Sequence, residues 1–222
     1  MCSALPPRVT EAIKILREFN IKATTYLDLG CSNGRITEII AKVVNAKEVY
    51  GIDIDSNALE EARSRGIKTF NLDLSKDRFP LNDDSVDLIT AFEVIEHLAN
   101  PDNMLREAFR VLRKGGYLLL STPNLASWVN RITFLLGYQP YNVEVSIEIL
   151  AGVPIKHAKP SGHIRAFTLR ALKELLTYHG FKIIKIRGTY DTNPRIKLLI
   201  SLDKIFSRKT SLARRLVALA TK

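Results

Sequence analysis

Thr24-Thr25-Tyr26-Leu27-Asp28-Leu29-Gly30-Cys31-Ser32-Asn33-Gly34-Arg35 is the stretch on which the fold turns. The β-branched and large apolar residues of its first half suit a strand ending at Gly30. A helix opens near Arg35. A turn of this kind, with glycines between strand and helix, brings a ligand close to the backbone and aims helix N–H groups at its negative or polar atoms. Alone it is weak evidence, because many α/β connections use glycine simply to turn tightly.

Outward from this turn the pattern repeats. Val9, Ala12, Ile13, Leu16 and Phe19 stand at helical spacing in Arg8–Phe19 upstream. Downstream the reading gives strands at Val49–Asp53, Thr69–Leu74, Asp87–Phe92 and Tyr117–Ser121, the last entered through a Lys114-Gly115-Gly116 turn. Helices are expected at 57–65 and from Pro101 to Leu112, where Met104, Leu105, Ala108 and Phe109 make an inner face. Alternating strands and helices argue for a parallel sheet covered on both faces. Thr168 should cap a helix over Leu169–His179, which Gly180 ends. Phe181–Arg187 and Leu216–Ala220 read as two final strands.

The chain has 222 residues, 46% apolar and 25% charged, which suits one globular domain over 1–222. Two segments interrupt the pattern: an inserted lid or substrate region at 123–163, and a basic amphipathic helix in 191–210 between the last two strands. No run of about 18 apolar residues suggests a membrane span, and Met1–Pro7 does not resemble a secretory signal. Cys2 and Cys31 have no paired metal or redox spacing. A reducing cytoplasm is the default expectation. The net charge of +10 is uneven, since residues 181–222 hold eleven Lys/Arg against Asp191 and Asp203. Such a segment would attract phosphate, nucleic acid or an anionic membrane, or would simply face water.

Asp53 ends the second strand 23 positions after Gly30, where a carboxylate can accept hydrogen bonds from ribose hydroxyls. Asp55 reads instead as a cap for the next helix. A nicotinamide dinucleotide would need glycines at 32 and 35, where this chain has Ser32 and Arg35. Asp73-Leu74, at the third strand's end, could hold an adenine through its exocyclic amine and ring face; the alternative is a surface turn.

The ordered series of the glycine turn, Asp53, Asp73-Leu74, Ala91-Phe92-Glu93-Val94-Ile95-Glu96-His97-Leu98 and Arg113-Lys114-Gly115-Gly116 resembles class I S-adenosylmethionine-dependent methyltransferases. The likeness is nearest to the branch of ubiquinone-biosynthesis O-methyltransferases. The resemblance implies a Rossmann-like α/β three-layer sandwich, with a mostly parallel seven-stranded sheet and an antiparallel last strand. It implies S-adenosyl-L-methionine as cofactor and S-adenosyl-L-homocysteine as product. Carried over by position, Asp28, Gly30, Cys31, Ser32, Asn33 and Gly34 would hold the methionine part. Asp53 would hold the ribose, Ile54 would lie against the adenine, and Asp73 and Leu74 would fix it. Phe92 and Glu93 would line the sulfonium end. The family's usual middle glycine is Ser32 here.

Glu93, Glu96 and His97 fall at i, i+3 and i+4, so on a helical turn they could face one point, with His163 as a fourth group. In relatives of the ubiquinone and small-RNA 2′-O-methylating type a similar Glu-x-x-Glu-His binds a divalent cation. Here no metal is expected, because the same stretch can orient its loop through hydrogen bonds. His97 and His163 are the candidate bases for an acceptor hydroxyl, since imidazole titrates near neutrality. Trp128, Phe134, Tyr138, Pro140 and Tyr141 could wall a pocket for an apolar or ring-bearing acceptor, or could be ordinary packing; Asn124 and Arg131 would add polar contacts. Ile196, Leu199, Ile200, Ile205 and Phe206 form an apolar stripe beside Arg195, Lys197, Lys204, Arg208 and Lys209. That pattern suits peripheral membrane contact, RNA contact or packing on the sheet. The expected function is methyl transfer to a small-molecule or lipid-like acceptor at oxygen. An RNA methyltransferase and a non-catalytic cofactor-binding protein are the alternatives.

Overall fold

Strands with apolar residues on both faces need cover on both sides, and this chain supplies it with helices. The computed structural model describes residues 5–155, 159–191 and 197–222. Helix α1 (Pro7–Glu18) precedes strand β1 (Thr25–Leu29), helix α2 (Arg35–Val44) and strand β2 (Glu48–Asp53). Helix α3 (Ser56–Ser64), strand β3 (Lys68–Asn71), strand β4 (Val86–Phe92), helix α4 (Pro101–Val111) and strand β5 (Leu112–Pro123) follow. Helix α5 (Trp128–Leu135), helix α6 (Leu169–Tyr178), strand β6 (Lys182–Thr189), helix α7 (Lys197–Ser207) and strand β7 (Arg215–Thr221) complete the chain.

The seven strands form one sheet in the order β3-β2-β1-β4-β5-β7-β6. Neighbours from β3 through β5 are parallel, while β7 runs antiparallel to both β5 and β6. The expected sheet, with its reversed last strand, is therefore what the chain builds. Alternate residues face opposite layers, as the period of two requires. Tyr26, Leu88, Leu119, Val217 and Leu219 join one buried cluster with Val9, Ala12 and Leu16 of α1 and Ile40 of α2. Leu27, Ile89, Leu118, Leu120 and Leu216 join the other with Met104 and Leu105 of α4 and Leu172 and Leu176 of α6.

Several boundaries moved. Strand β3 stops at Asn71, so Asp73 and Leu74 lie in the loop beyond it rather than at its last residues. Strand β5 begins at Leu112, which pairs with Val86; an irregularity then shifts the register so that Tyr117 pairs with Leu88. Gly115, at φ +74°, lets the backbone make that shift. Asp55 caps α3 by accepting from the N–H groups of Asn57 and Ala58, and Thr168 caps α6 through Ala171. The start of the basic helix, including Arg195 and Ile196, lies outside the described residues, as do Cys2 and the side chains of Lys197 and Leu199. Among the described residues no helix is long and apolar enough to cross a membrane.

Candidate active site

Strand order reverses between β1 and β4: the chain goes from β1 outward to β2 and β3, then returns to place β4 on β1's other side. The carboxyl ends of such strands leave a crevice. Gly30 and Gly34 stand there at φ +70° and +76°. A Cβ on Gly30 would come within 2.4 Å of Val94 Cγ2, and one on Gly34 within 2.4 Å of Ile67 Cδ1. Both positions therefore demand glycine on two counts, conformation and space. Ser32 is also left-handed, at φ +46°, and its backbone N–H donates to Asp53 Oδ2 at 2.7 Å. That bond ties the turn to the end of β2. Asp53 Oδ1 accepts a second N–H, from Asp55, at 3.0 Å.

Asp28 is buried at the end of β1 and accepts from the hydroxyls of Thr37 and Thr90, each at 2.5 Å. Tyr26 in turn bonds Thr90 at 2.6 Å. Burial lifts the Asp28 carboxyl to about 6, against the pull of the two hydroxyls. Asp28, Gly30, Cys31, Ser32, Asn33 and Phe92 line one cavity of about 410 Å³ together with Arg35 and Ile36. Leu5, Pro6 and Arg8 close it from the start of α1. The Arg8 Nε is buried without a hydrogen-bond partner.

The remaining expected cofactor residues stand elsewhere. Gly34 is the residue before α2. Ile54 projects next to Asp53, 71% exposed despite its apolar side chain. Asn71 holds that corner by donating to the carbonyls of Asp53 and Ile54. Asp73 lies in the turn named as the alternative reading, accepting from the Ser75 N–H at 2.9 Å; that bond and Lys76 keep it below the ordinary carboxylate range. Leu74 is 5% exposed and belongs to the core.

Glu93, also left-handed at φ +56°, is not among the groups that converge with Glu96 and His97, although its charge reaches Glu96. The Glu93 Oε1 accepts from Ser121, and its Oε2 pairs at 2.7 Å with Arg215, which also pairs with Asp191. The expectation that Glu93, Glu96 and His97 face one point fails at Glu93: β4 ends at Phe92, and only Ile95–His97 forms a helical turn, of the tight 3₁₀ kind.

Glu96, His97 and His163 do converge, with one potential ligand atom from each lying within 4.8 Å of the others. Glu96 is 1% exposed; its Oε2 accepts from Thr122 at 3.1 Å, while its Oε1 has no partner. Burial, and then the charge of Glu93, push the Glu96 carboxyl up to about 8. The His97 Nδ1–H donates to the Gly162 carbonyl at 3.1 Å, which leaves Nε2 as its basic nitrogen. His163, ring to ring with His97 at 4.8 Å, has a buried Nδ1 without a partner. Burial and His97 hold it below the ordinary histidine range. Glu144 fixes this segment by accepting N–H bonds from Ser161, Gly162 and His163. A second cavity, about 620 Å³, lies between residues 144–148 and 162–164 with His163 in its wall.

Sequence reading missed Arg8, Thr37, Thr90, Asn71, Glu144 and Arg215. Thr90, Asn71, Glu144 and Arg215 act through partners 17 or more positions away, Thr37 reaches back nine positions to Asp28, and Arg8 matters only because α1 folds over the cavity, so no local motif announces them.

A doubly wound sheet with its glycine turn at the strand reversal, and an acid tied to that turn, defines a class of nucleoside-binding α/β proteins. A family model described as a methyltransferase domain matches residues 3–186, and the chain belongs to that family, within the class I S-adenosylmethionine-dependent methyltransferases. A Mycobacterium tuberculosis protein named "Probable S-adenosylmethionine-dependent methyltransferase" is 39% identical over 115 residues, which are 52% of this chain and 39% of that protein. The mitochondrial ubiquinone biosynthesis O-methyltransferase of Candida albicans is 35% identical over 124 residues, 51% of this chain and 37% of its own length. The chain thus matches half or less of the length of these relatives. An S-adenosylmethionine-dependent methyltransferase structure from Mesorhizobium loti shares the fold at TM-score 0.62 and 16% identity, covering 97% of this chain and 98% of that one.

Proposed function

We propose that this chain is an enzyme that transfers a methyl group from S-adenosylmethionine to a small-molecule or lipid-like acceptor, at oxygen. One observation carries the reading: Asp28, the Gly30–Asn33 turn and Phe92 line a single cavity, which Ser32 ties to Asp53. The residues fit the cofactor. The turn cannot accept side chains at its glycines, and the unpartnered Arg8 Nε offers a donor and a positive charge to the methionine carboxylate. Asp53 would take the ribose hydroxyls, and the exposed Ile54 one face of the adenine. Asp73 would accept from the adenine amine, with Leu74 backing it from the core. Phe92 and Glu93 would bound the sulfonium end. The bound cofactor supplies an electrophilic methyl group with a good leaving group.

The protein then has to align the acceptor, exclude water and take one proton. Alignment alone can contribute about 7–11 kcal/mol. Phe92 lines the first cavity, and His97 bonds the Gly162 carbonyl beside the second, so residues 92–97 join the two sites. Burial and His97 favour the neutral form of His163, whose Nδ1 has no partner, as suits a base for a hydroxyl; His97 offers Nε2. The likeness to ubiquinone-pathway O-methyltransferases supports oxygen as the acceptor atom.

Both S-adenosylmethionine and S-adenosylhomocysteine should raise the melting temperature of the purified chain. Asp53→Ala should weaken their calorimetric affinity by roughly tenfold or more, through the loss of charge-assisted bonds. If neither compound binds, the reading is lost. Transfer of labelled methyl to an RNA fraction alone would replace the small-molecule acceptor with RNA.

A second reading concerns a divalent cation. The unpartnered Glu96 Oε1 and His163 Nδ1, with His97 alongside, form a donor set of the right chemistry. These three residues would hold the ion, which would lower the pKa of an acceptor hydroxyl. Manganese should raise the melting temperature of the wild-type chain and leave His163→Ala unchanged. Equal shifts in both would remove the site.

A further inference from the structure

Helix α5 is built inside out. Its polar Asn130 and Thr133 are buried, while Phe134, Leu135 and the following Leu136 stand in water, Leu135 at 85% exposure. Asn130 explains the buried side: its side chain donates to the Tyr141 carbonyl and accepts from the Tyr141 N–H, which anchors the loop that follows. Gln139 adds bonds to Gly152 and Val143, so this loop is held against the end of α5. The loop repeats the pattern, with Val145, Ile147 and Ile149 exposed, Ile147 at 91%. Of the fourteen large apolar residues that the described chain leaves exposed, ten lie between Ile132 and Ile164. Scattered exposed apolar residues are ordinary; nine within the inserted segment, with Ile164 just beyond it, are not.

The charge beside this surface narrows the partner. Phe206 of α7 stacks on Trp128 of α5 at 4.9 Å, and Trp128 Nε1–H donates to Asp203 at 2.6 Å. These contacts fix α7 next to α5. The two acids of residues 181–222 are both engaged, Asp203 buried against Arg214 and Asp191 paired with Arg215. Lys204, Arg208 and Lys209 remain exposed. An exposed apolar surface flanked by exposed cations matches the boundary of an anionic lipid bilayer, where headgroups meet acyl chains. RNA would take up the cations but leave the aliphatic residues of α5 without a stacking role.

We propose that α5 and the loop after it form a membrane-docking surface, with the exposed cations of α7 supplying attraction to anionic headgroups. The apolar stripe that the sequence suggested on the C-terminal helix is only partly free, since its Phe206 packs on Trp128 while Ile205 is exposed. The larger apolar contact comes from the insertion, and the segment near His163 opens toward it through Val145, Ile147 and Ile164.

The test is co-sedimentation of the full chain with vesicles of equal parts phosphatidylcholine and phosphatidylglycerol, beside vesicles of phosphatidylcholine alone. The wild-type chain should bind the anionic vesicles and prefer them to the neutral ones. A Phe134→Ser, Leu135→Glu double variant should lose roughly tenfold or more in vesicle affinity while keeping its circular dichroism and its cofactor-induced melting shift. Arg208→Glu with Lys209→Glu should reduce binding to anionic vesicles only. A wild-type chain that stays in the supernatant overturns the proposal, as does an apolar variant that binds equally well. A dimer that the apolar variant converts to monomer would make the surface a self-association face and also overturns it, as would RNA binding at the same salt that the apolar variant abolishes. The cofactor melting shift is read separately, so vesicle binding stands or falls apart from the methyl-transfer reading.

Discussion

Glu96 shows how far burial can move a single carboxyl. Its pKa rises from 4.5 to about 8 because the group is buried, with one oxygen unpartnered, and lies close to Glu93, while the Thr122 hydroxyl pulls the other way. The folded state therefore binds this proton more tightly than the unfolded chain does. By linkage, the stability so gained is complete below about 4.5 and is lost as the pH rises through about 8. Arg215, held at Glu93, partly offsets the effect, and His163 acts in the opposite sense at acid pH because its neutral form is favoured. Glu96→Gln should flatten the decline and stabilise the chain by about 1 kcal/mol or more at the alkaline end. Denaturant midpoints measured across this range check it; parallel wild-type and variant curves would contradict the burial argument. Ser32 gives the complementary case. It occupies a left-handed conformation that costs a non-glycine residue about 1–2 kcal/mol, and its N–H bond to Asp53 offsets that strain.

At the scale of elements, the site depends on how loops are tied to the sheet. Glu144 accepts three successive backbone N–H groups, and these bonds hold it below the ordinary carboxylate range although burial works against them. The carbonyl of Glu96 accepts the N–H groups of Ile164 and Arg165 from the other side. His163 is thus presented by a segment that has no regular secondary structure of its own. Glu144→Gln keeps one acceptor oxygen and removes the charge. It should leave global stability within about 1 kcal/mol but speed amide exchange at residues 161–163 several-fold, since charge-assisted bonds are roughly twice as strong as neutral ones. Exchange rates equal to wild type would show that the segment is held by other contacts.

At the scale of the whole molecule, the strand order brings residues from both halves of the chain to one edge. Arg215, in the last strand, reaches Glu93 because β7 inserts antiparallel beside β5. Arg8, near the start, closes the cavity opposite the glycine turn because α1 packs on the same sheet face as α2. The periodicity of β1, β2, β4 and β5 was plain in the sequence, since buried parallel strands are apolar on both faces. The limits of β3 and β5 were not, because Leu72 and Leu74 carry the apolar alternation past Asn71, and Arg113-Lys114-Gly115-Gly116 reads as a polar turn although the strand runs through it.

Local chemistry was enough to set the order of strands and helices, the glycine turn, the caps at Asp55 and Thr168, and the family resemblance carried by residues 24–124, because each depends on neighbours within a few positions. Folding in three dimensions decided that Glu93 leaves the Glu96–His97–His163 group, that Leu74 enters the core, and that the aliphatic side chains of α5 face outward. Those outcomes rest on contacts between residues far apart in the chain, and a pattern of spacing along one strand or helix does not encode the partner that arrives from elsewhere.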